Sequence, residues 1–291
     1  VDVISLNGEF VPLGEARVEA TDAGVLVGEG VFETLRVERG QIIGFAEHLA
    51  RMARGLRVLG ISWRHDPEEL LARAQAVLDA NDIANARLRI TITRGPLRGH
   101  PIAETEGEPT EIITATRLDG RTDADREHGW RLMISPWPRN ERSPLAAIKC
   151  TSYAESLLAR RQAQAMGFDE ALMLNTRGLV AEASMANVFM VSGGRLYTPR
   201  VEDGALPGTM RGRVLRVAER QGMEVRVEAM NAEDLWNAEE VFLTNALIQV
   251  MPVVLVGERL IGNGMPGPVA QGLFAGWRDE VATLIGESRR G

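Results

Sequence analysis

Lys149 is the one lysine in a chain of 291 residues that carries 33 basic side chains. Arginine can take over most ion-pairing duties of a lysine, but it stays charged and cannot become a free amine nucleophile. A lysine kept among arginines points to Schiff-base chemistry, unless it is a chance survivor in an arginine-biased chain. Glu182 stands between Val180-Ala181 and Ala183, where an unpaired carboxylate is costly. A cationic ring nitrogen would satisfy it, and so would an arginine such as Arg177. The run Ala205-Leu206-Pro207-Gly208-Thr209-Met210-Arg211 sets Gly208 and Thr209 at the start of a helix, where backbone N–H groups and the dipole favour a phosphate. A plain proline-glycine turn before a helix has the same signature. Thr244-Asn245-Ala246 follows the apolar strand 240–243 and offers hydroxyl, amide and backbone donors at a strand end.

The elements that must position these residues follow from periodicity and turn chemistry. Hairpins are expected at 3–6/9–11, through Asn7-Gly8, and at 31–37/41–44, through 38–40. Helices are expected at 45–59 and at 67–80, the second announced by Asp66-Pro67-Glu68-Glu69 as N-cap, first-turn proline and acidic first turn. Strands at 87–93 and 111–116 flank a Gly, Pro and Arg-rich loop. The polar stretch 117–129 has little to bury and reads as an interdomain linker. Beyond it come strands at 131–135, 170–175, 179–182, 187–191, 195–198, 224–228, 240–243 and 253–256, with Lys149 at a strand end of its own. Helices are expected at 153–166, 209–221 and about 268–285.

A formal charge of −7 and a pI near 5.3 argue against a nucleic-acid or anionic-membrane footprint. Cys150 is the single cysteine, so no internal disulfide or multi-cysteine zinc site can form, and His48, His65, His100 and His128 lack metal-ligand spacing. No metal is expected. No stretch reaches the roughly 18 apolar residues of a membrane span, and residues 1–10 lack a signal-like pattern, so a soluble, cytoplasmic protein with a small-molecule partner is expected.

Four ordered blocks then carry a resemblance: Gly167-Phe168-Asp169-Glu170-Ala171-Leu172-Met173-Leu174-Asn175, Gly178-Leu179-Val180-Ala181-Glu182, Asn187-Val188-Phe189, and Leu206-Pro207-Gly208-Thr209-Met210-Arg211. With Gly28 to Thr34 and Glu47-His48-Leu49-Ala50-Arg51, they resemble the class IV (fold type IV) pyridoxal-phosphate enzymes over essentially the whole chain. That family comprises branched-chain and related amine transaminases, D-amino acid aminotransferases and 4-amino-4-deoxychorismate lyases. The resemblance implies a homodimer with pyridoxal 5'-phosphate between two domains. It also implies an α/β fold, with a smaller α+β domain (1–117), the linker (118–129) and a larger α/β barrel-like domain (130–291).

It further implies a role for each residue. Lys149 would hold the cofactor as an internal aldimine and shuttle the proton between substrate Cα and cofactor C4′. Glu182 would keep the pyridine nitrogen protonated so that the ring accepts electrons. Arg51 would pair with the phosphate, joined by Gly208, Thr209, Met210 and the Thr244, Asn245 and Ala246 segment. Leu206 would pack on a ring face, Tyr153 would lie near the cofactor hydroxyl, and Phe32 would meet the substrate.

Residues 241–253 and Gly30 to Arg36 resemble the lyases. Pro96-Leu97-Arg98-Gly99-His100 resembles the carboxylate trap of D-amino acid aminotransferases, one residue short, which makes Arg94, Arg98 and His100 candidate substrate-carboxylate ligands. Two functions stand side by side. One is a transaminase moving an amino group between an amino acid or amine and a 2-oxo acid through pyridoxamine phosphate. The other is a lyase releasing pyruvate from aminodeoxychorismate to leave 4-aminobenzoate. A cofactor-free Schiff-base aldolase or a non-catalytic relative is the remote alternative.

Overall fold

The structure is a computed structural model that describes residues 2–64, 66–97, 108–118 and 121–288. It divides into two compact units, Val1–Leu118 with Ile148–Tyr153, and Asp119–Ala147 with Ala154–Gly291. Among the described residues no helix is long and apolar enough to cross a membrane.

In the first unit, strands β1 (Val3–Leu6) and β2 (Glu9–Pro12) close through Asn7 and Gly8, both at positive φ (52° and 86°), as a tight hairpin turn demands. A single helical turn, α1 (Ala23–Leu26), is capped by Asp22 and precedes β3 (Gly30–Glu38) and β4 (Gln41–Ile42). Helices α2 (Phe45–Leu59) and α3 (Pro67–Ala80) follow, then β5 (Ala86–Thr93) and β6 (Glu111–Arg117). The Asp66 carboxylate accepts the Glu68 N–H at 2.9 Å, so α3 begins where the N-cap and proline dictate.

The sheet order is β2-β1-β6-β5-β3-β4. Strand alternation sends Val31, Leu35, Val37, Leu88, Ile90, Ile92 and Ile113 into a core with Met52 and Leu56 of α2 and Leu70, Ala74 and Val77 of α3. Each large aliphatic buried there contributes roughly 1.5–3 kcal/mol. Phe32, Thr34, Arg87, Arg89, Thr91 and Thr114 share the opposite face, as the β3/β5/β6 register requires.

The second unit runs α4 (Arg121–His128), β7 (Trp130–Ile134), α5 (Ala154–Ala165), β8 (Glu170–Leu174), β9 (Val180–Ala183), β10 (Asn187–Ser192) and β11 (Arg195–Thr198). A 3-10 turn (Val201–Asp203), α6 (Thr209–Arg220), β12 (Val225–Val227), α7 (Ala232–Trp236), β13 (Glu240–Asn245), β14 (Gln249–Val256), β15 (Arg259–Leu260) and α8 (Pro268–Ser288) complete it. The sheet runs β12-β11-β10-β13-β14-β7-β8-β9, with β15 beside β14. Strand β9 ends that path yet leads within three residues into β10, with Ala183 N–H donating to Ala186 O at 2.7 Å, so the sheet curls back on itself. Its core holds Leu132, Leu172, Val188, Leu243 and Met251.

Two expectations need correction. The expected linker contains α4, whose Arg126 donates to Ile248 O and Val250 O and lies 3.9 Å over the Phe274 ring. Its polar surface hid a helix anchored by one long side chain rather than by an apolar stripe. Lys149 does not end a strand: its neighbour Cys150 makes a single bridge to Val31, and this short segment belongs to the first unit.

Candidate active site

Two clusters gather the expected residues, one in each unit. In the first, Phe32 N–H donates to Lys149 O and Thr151 N–H to Gly30 O, each at 2.9 Å, so residues 149–151 run antiparallel along the start of β3. Lys149 Nζ lies 4.4 Å from the Phe32 ring centroid and 5.5 Å from that of Tyr153, and the two rings meet edge to face at 5.5 Å. The amine is half-buried against two aromatic faces, a setting that shields it from water and favours a cation when it is charged.

Arg89 lies on the same sheet face, 3.8 Å over Phe32, with Nε donating to Thr91 Oγ1 at 3.0 Å. Burial first, and then the like charge of Arg87, pushes its guanidinium down to about 10. Among the described residues it has no acidic partner within ion-pair distance. Sequence reasoning missed Arg89. It sits among Arg87 and Arg94 and looks like one more surface cation, whereas the period of two in β5, read with Phe32 opposite, would have singled it out.

Arg51 lies on the other face of β3. Glu33, 1% exposed, grips it at two points, Nε to Oε1 at 2.7 Å and Nη2 to Oε2 at 2.6 Å, and His48 Nδ1 contacts Oε2 at 2.6 Å. Burial alone would raise the Glu33 carboxyl, but the Arg51 charge and the hydrogen bonds from Arg51 and His48 outweigh it and hold the carboxyl down at about 2.

In the second unit Glu182, on β9, is buried and ionically paired, though not with Arg177. Arg139 Nη2 lies 3.0 Å from Glu182 Oε1, while Oε2 accepts the Leu206 N–H at 2.8 Å and Asn187 Nδ2 at 3.3 Å. Arg177 pairs with Asp203 at 2.6 Å and Glu141 at 3.4 Å instead. Arg139 is fixed by donating Nε to Gly204 O and Nη2 to Ala146 O, at 2.7 and 3.0 Å.

Asn187 also donates to Leu206 O at 2.8 Å and is the register partner of Thr244. Gly208 is the N-cap of α6 and gives it no side-chain cap; a Cβ there would collide with Asn187 Oδ1. Thr209 and Met210 open that helix. Thr244 Oγ1 is buried without a hydrogen-bond partner, a state that calls for a ligand acceptor or donor. An uncapped helix start, an orphaned hydroxyl and a backbone closed to any Cβ fit a phosphate group, and an ion-paired buried carboxylate fits a protonated ring nitrogen.

The side chains of Asn245 and Arg94 are engaged elsewhere. Asn245 uses its own side chain to tie the turn after β13: Oδ1 accepts from Leu247 N and Ile248 N, both at 2.9 Å, and Nδ2 donates to Met185 O at 3.0 Å. Asn245 and the half-buried Ala246 beside it can thus offer backbone groups only. Met210 is buried in the core, 3% exposed, and likewise offers backbone alone. Arg94 pairs with Glu29 at 2.5 Å and donates to Gly60 O at 3.2 Å and to Leu59 O, so it braces the loop after α2 rather than a substrate. Arg98 and His100 lie outside the described residues.

The family model of amino-transferase class IV matches residues 30–256, which span both clusters. The chain belongs to the class IV aminotransferase family. This class IV enzyme is 30% identical to the branched-chain-amino-acid aminotransferase of Escherichia coli, over 96% of this chain and 97% of the relative. It is 29% identical to the aminodeoxychorismate lyase of Bacillus subtilis, over 98% and 97%. Among solved structures, the T.th. branched-chain amino acid aminotransferase with pyridoxamine 5'-phosphate superimposes with a TM-score of 0.88, at 30% identity over 94% of this chain and 92% of that one. Class IV aminotransferases use pyridoxal phosphate and act on amino acids and 2-oxo acids.

Proposed function

We propose that this enzyme is a pyridoxal-phosphate-dependent transaminase acting on a carboxylate-bearing amino donor and a 2-oxo acid. The observation that carries the reading is the sheet face that sets the lone amine, Lys149, against Phe32 beside Arg89, a guanidinium without an acid partner among the described residues. When bound, pyridoxal phosphate supplies an aldehyde that takes up an amine nitrogen and a cationic ring that accepts the electrons freed at the donor Cα. Lys149 would be the amine for that aldehyde; once the donor's amine has displaced it, its Nζ would take the proton from Cα as base and deliver it to the cofactor's aldehyde carbon as acid. Phe32 and Tyr153 exclude water from Nζ. Arg89 holds the donor carboxylate as a charge-assisted fork and thereby fixes which Cα bond is presented.

In the second unit Glu182, paired with Arg139, would hold the proton on the ring nitrogen, and the start of α6 and Thr244 Oγ1 would take the phosphate; in the first unit Arg51 is a candidate phosphate ligand in its own right. The test is a single half-reaction. Cofactor-loaded protein mixed with D- or L-amino acids, without an acceptor, should release one equivalent of 2-oxo acid per cofactor with one hand of donor. No release with either hand refutes the reading.

A lyase is the second reading, favoured by the lyase relative that matches over nearly the full chain. It predicts pyruvate and 4-aminobenzoate in equal amounts from aminodeoxychorismate, with no acceptor required.

A further inference from the structure

Strand β3 turns Val31, Leu35 and Val37 into an apolar core, and in the same row it carries Glu33. The carboxylate stands among Leu35, Phe45, Leu49, Met52, Leu70 and Ile90, where a leucine would pack without any desolvation penalty. Core packing gives no reason for an acid at this position. Arg51 gives one: its Nε–Nη2 edge meets both carboxylate oxygens at 2.7 and 2.6 Å, and His48 Nδ1 shares Oε2 at 2.6 Å.

We propose that Glu33, braced by His48, is a positioning residue that fixes the plane of the Arg51 guanidinium for the phosphate group of the cofactor. The proposal rests on Arg51 taking that phosphate, as read above. A guanidinium gripped at two points along one edge cannot rotate about its stem, so its remaining donors are aimed before the ligand arrives. His48 and Arg51 are one helical turn apart on α2 and converge on a single residue of β3. The neighbouring residue, Phe32, gives its backbone N–H to Lys149 O. One strand therefore sets both the residue that would bond the cofactor's aldehyde and the residue that would hold its phosphate.

The experiment compares dissociation constants of pyridoxal phosphate and of pyridoxal, which lacks the phosphate, for the full chain stripped of cofactor, followed by absorbance. Glu33→Gln should weaken pyridoxal phosphate roughly tenfold, the scale of one charge-assisted hydrogen bond, and leave pyridoxal within about twofold. Added to Arg51→Gln it should have no further effect, because both act through one contact. An equal loss for both ligands, which is what damage to the fold would give, overturns the proposal. So does tighter binding of pyridoxal phosphate, which would mean that Glu33 only drains charge from Arg51. If Arg51→Gln weakens both ligands alike, the phosphate role of Arg51 itself fails. If that variant discriminates and Glu33→Gln does not, only the positioning role falls. Should Glu33→Gln not fold, His48→Gln reads the same ratio, and an unchanged ratio refutes the proposal.

Discussion

Acid should destabilise this protein through Glu33 in a way that can be isolated. The Glu33 carboxyl is pushed up by burial but more strongly held down by Arg51 and His48, and it titrates at about 2 against an ordinary 4.5. At 1.36 kcal/mol per pH unit that gap amounts to about 3 kcal/mol of folding stability. The depressed value fixes the sign. The contribution is complete above about pH 4.5, and it is lost as pH falls toward 2 because the unfolded chain then binds the proton first. About 2 kcal/mol of it should be gone by pH 3. Urea unfolding of the wild-type chain and of Glu33→Gln, at pH 6, 5, 4 and 3, isolates this contribution, because the other carboxylates titrate alike in both. The stability difference between them should be constant from pH 6 to 5 and then shift against the wild type by about 2 kcal/mol. Parallel curves down to pH 3 would show that Glu33 titrates normally and that the buried ion pair is not what holds it ionised.

Lys149→Arg keeps the charge and should keep the unfolding midpoint near wild type, but it should lose all turnover. Borohydride treatment of the loaded protein should add the cofactor's mass less one oxygen to the Lys149 peptide in the wild type, as water leaves on imine formation and hydride then reduces it, and to no peptide in the variant. Arg139→Met removes the partner of buried Glu182 at 3.0 Å together with two carbonyl contacts, and should cost about 3 kcal/mol. The low end of the range applies because Leu206 N–H and Asn187 still hold the carboxylate, and a loss under about 1 kcal/mol in urea would show the pair to be ornamental. Gly208→Ala drives a Cβ into Asn187 Oδ1, so it should destabilise by about 1–3 kcal/mol and weaken pyridoxal phosphate more than pyridoxal. Equal affinities would refute the phosphate role of the α6 start.

What the sequence declares is local. Helix α3 runs Pro67–Ala80, as Asp66-Pro67 and the acidic first turn require, and α2 runs Phe45–Leu59 between Gly44 and Gly60, both at positive φ. The short α7 was also within reach, because Asn231 and Asp234 form a reciprocal capping box that the residue types spell out. Helix α4 was not, since its anchor, Arg126, acts through carbonyls more than a hundred residues away. The partner of Glu182 shows the same limit. Arg177 is five residues distant and was the natural candidate, yet its turn faces Asp203 and Glu141. Arg139 reaches Glu182 because its backbone N–H donates to Leu174 O, extending the β7–β8 pairing to a segment with no strand signal of its own.

The arginine bias that exposed Lys149 also explains the rest of the site. Arg51, Arg89 and Arg139 each do work that depends on a planar, permanently charged fork: gripping Glu33 at two points, sitting 3.8 Å over the Phe32 ring, or holding Glu182 while donating to two carbonyls. A lysine in any of these places would lose geometry and gain the freedom to deprotonate. At residue 149 the preference reverses. The backbone contacts to β3 and the two aromatic faces locate the amine. Under the proposed function, a chain that uses arginine wherever a cation must stay a cation keeps lysine where the cation must cease to be one. Replacing Arg51 or Arg139 with lysine should therefore degrade cofactor affinity and stability in graded fashion, whereas no cation other than lysine should support turnover at residue 149. Residual turnover by Lys149→Arg, after removal of any wild-type contaminant, would break that argument at its first step.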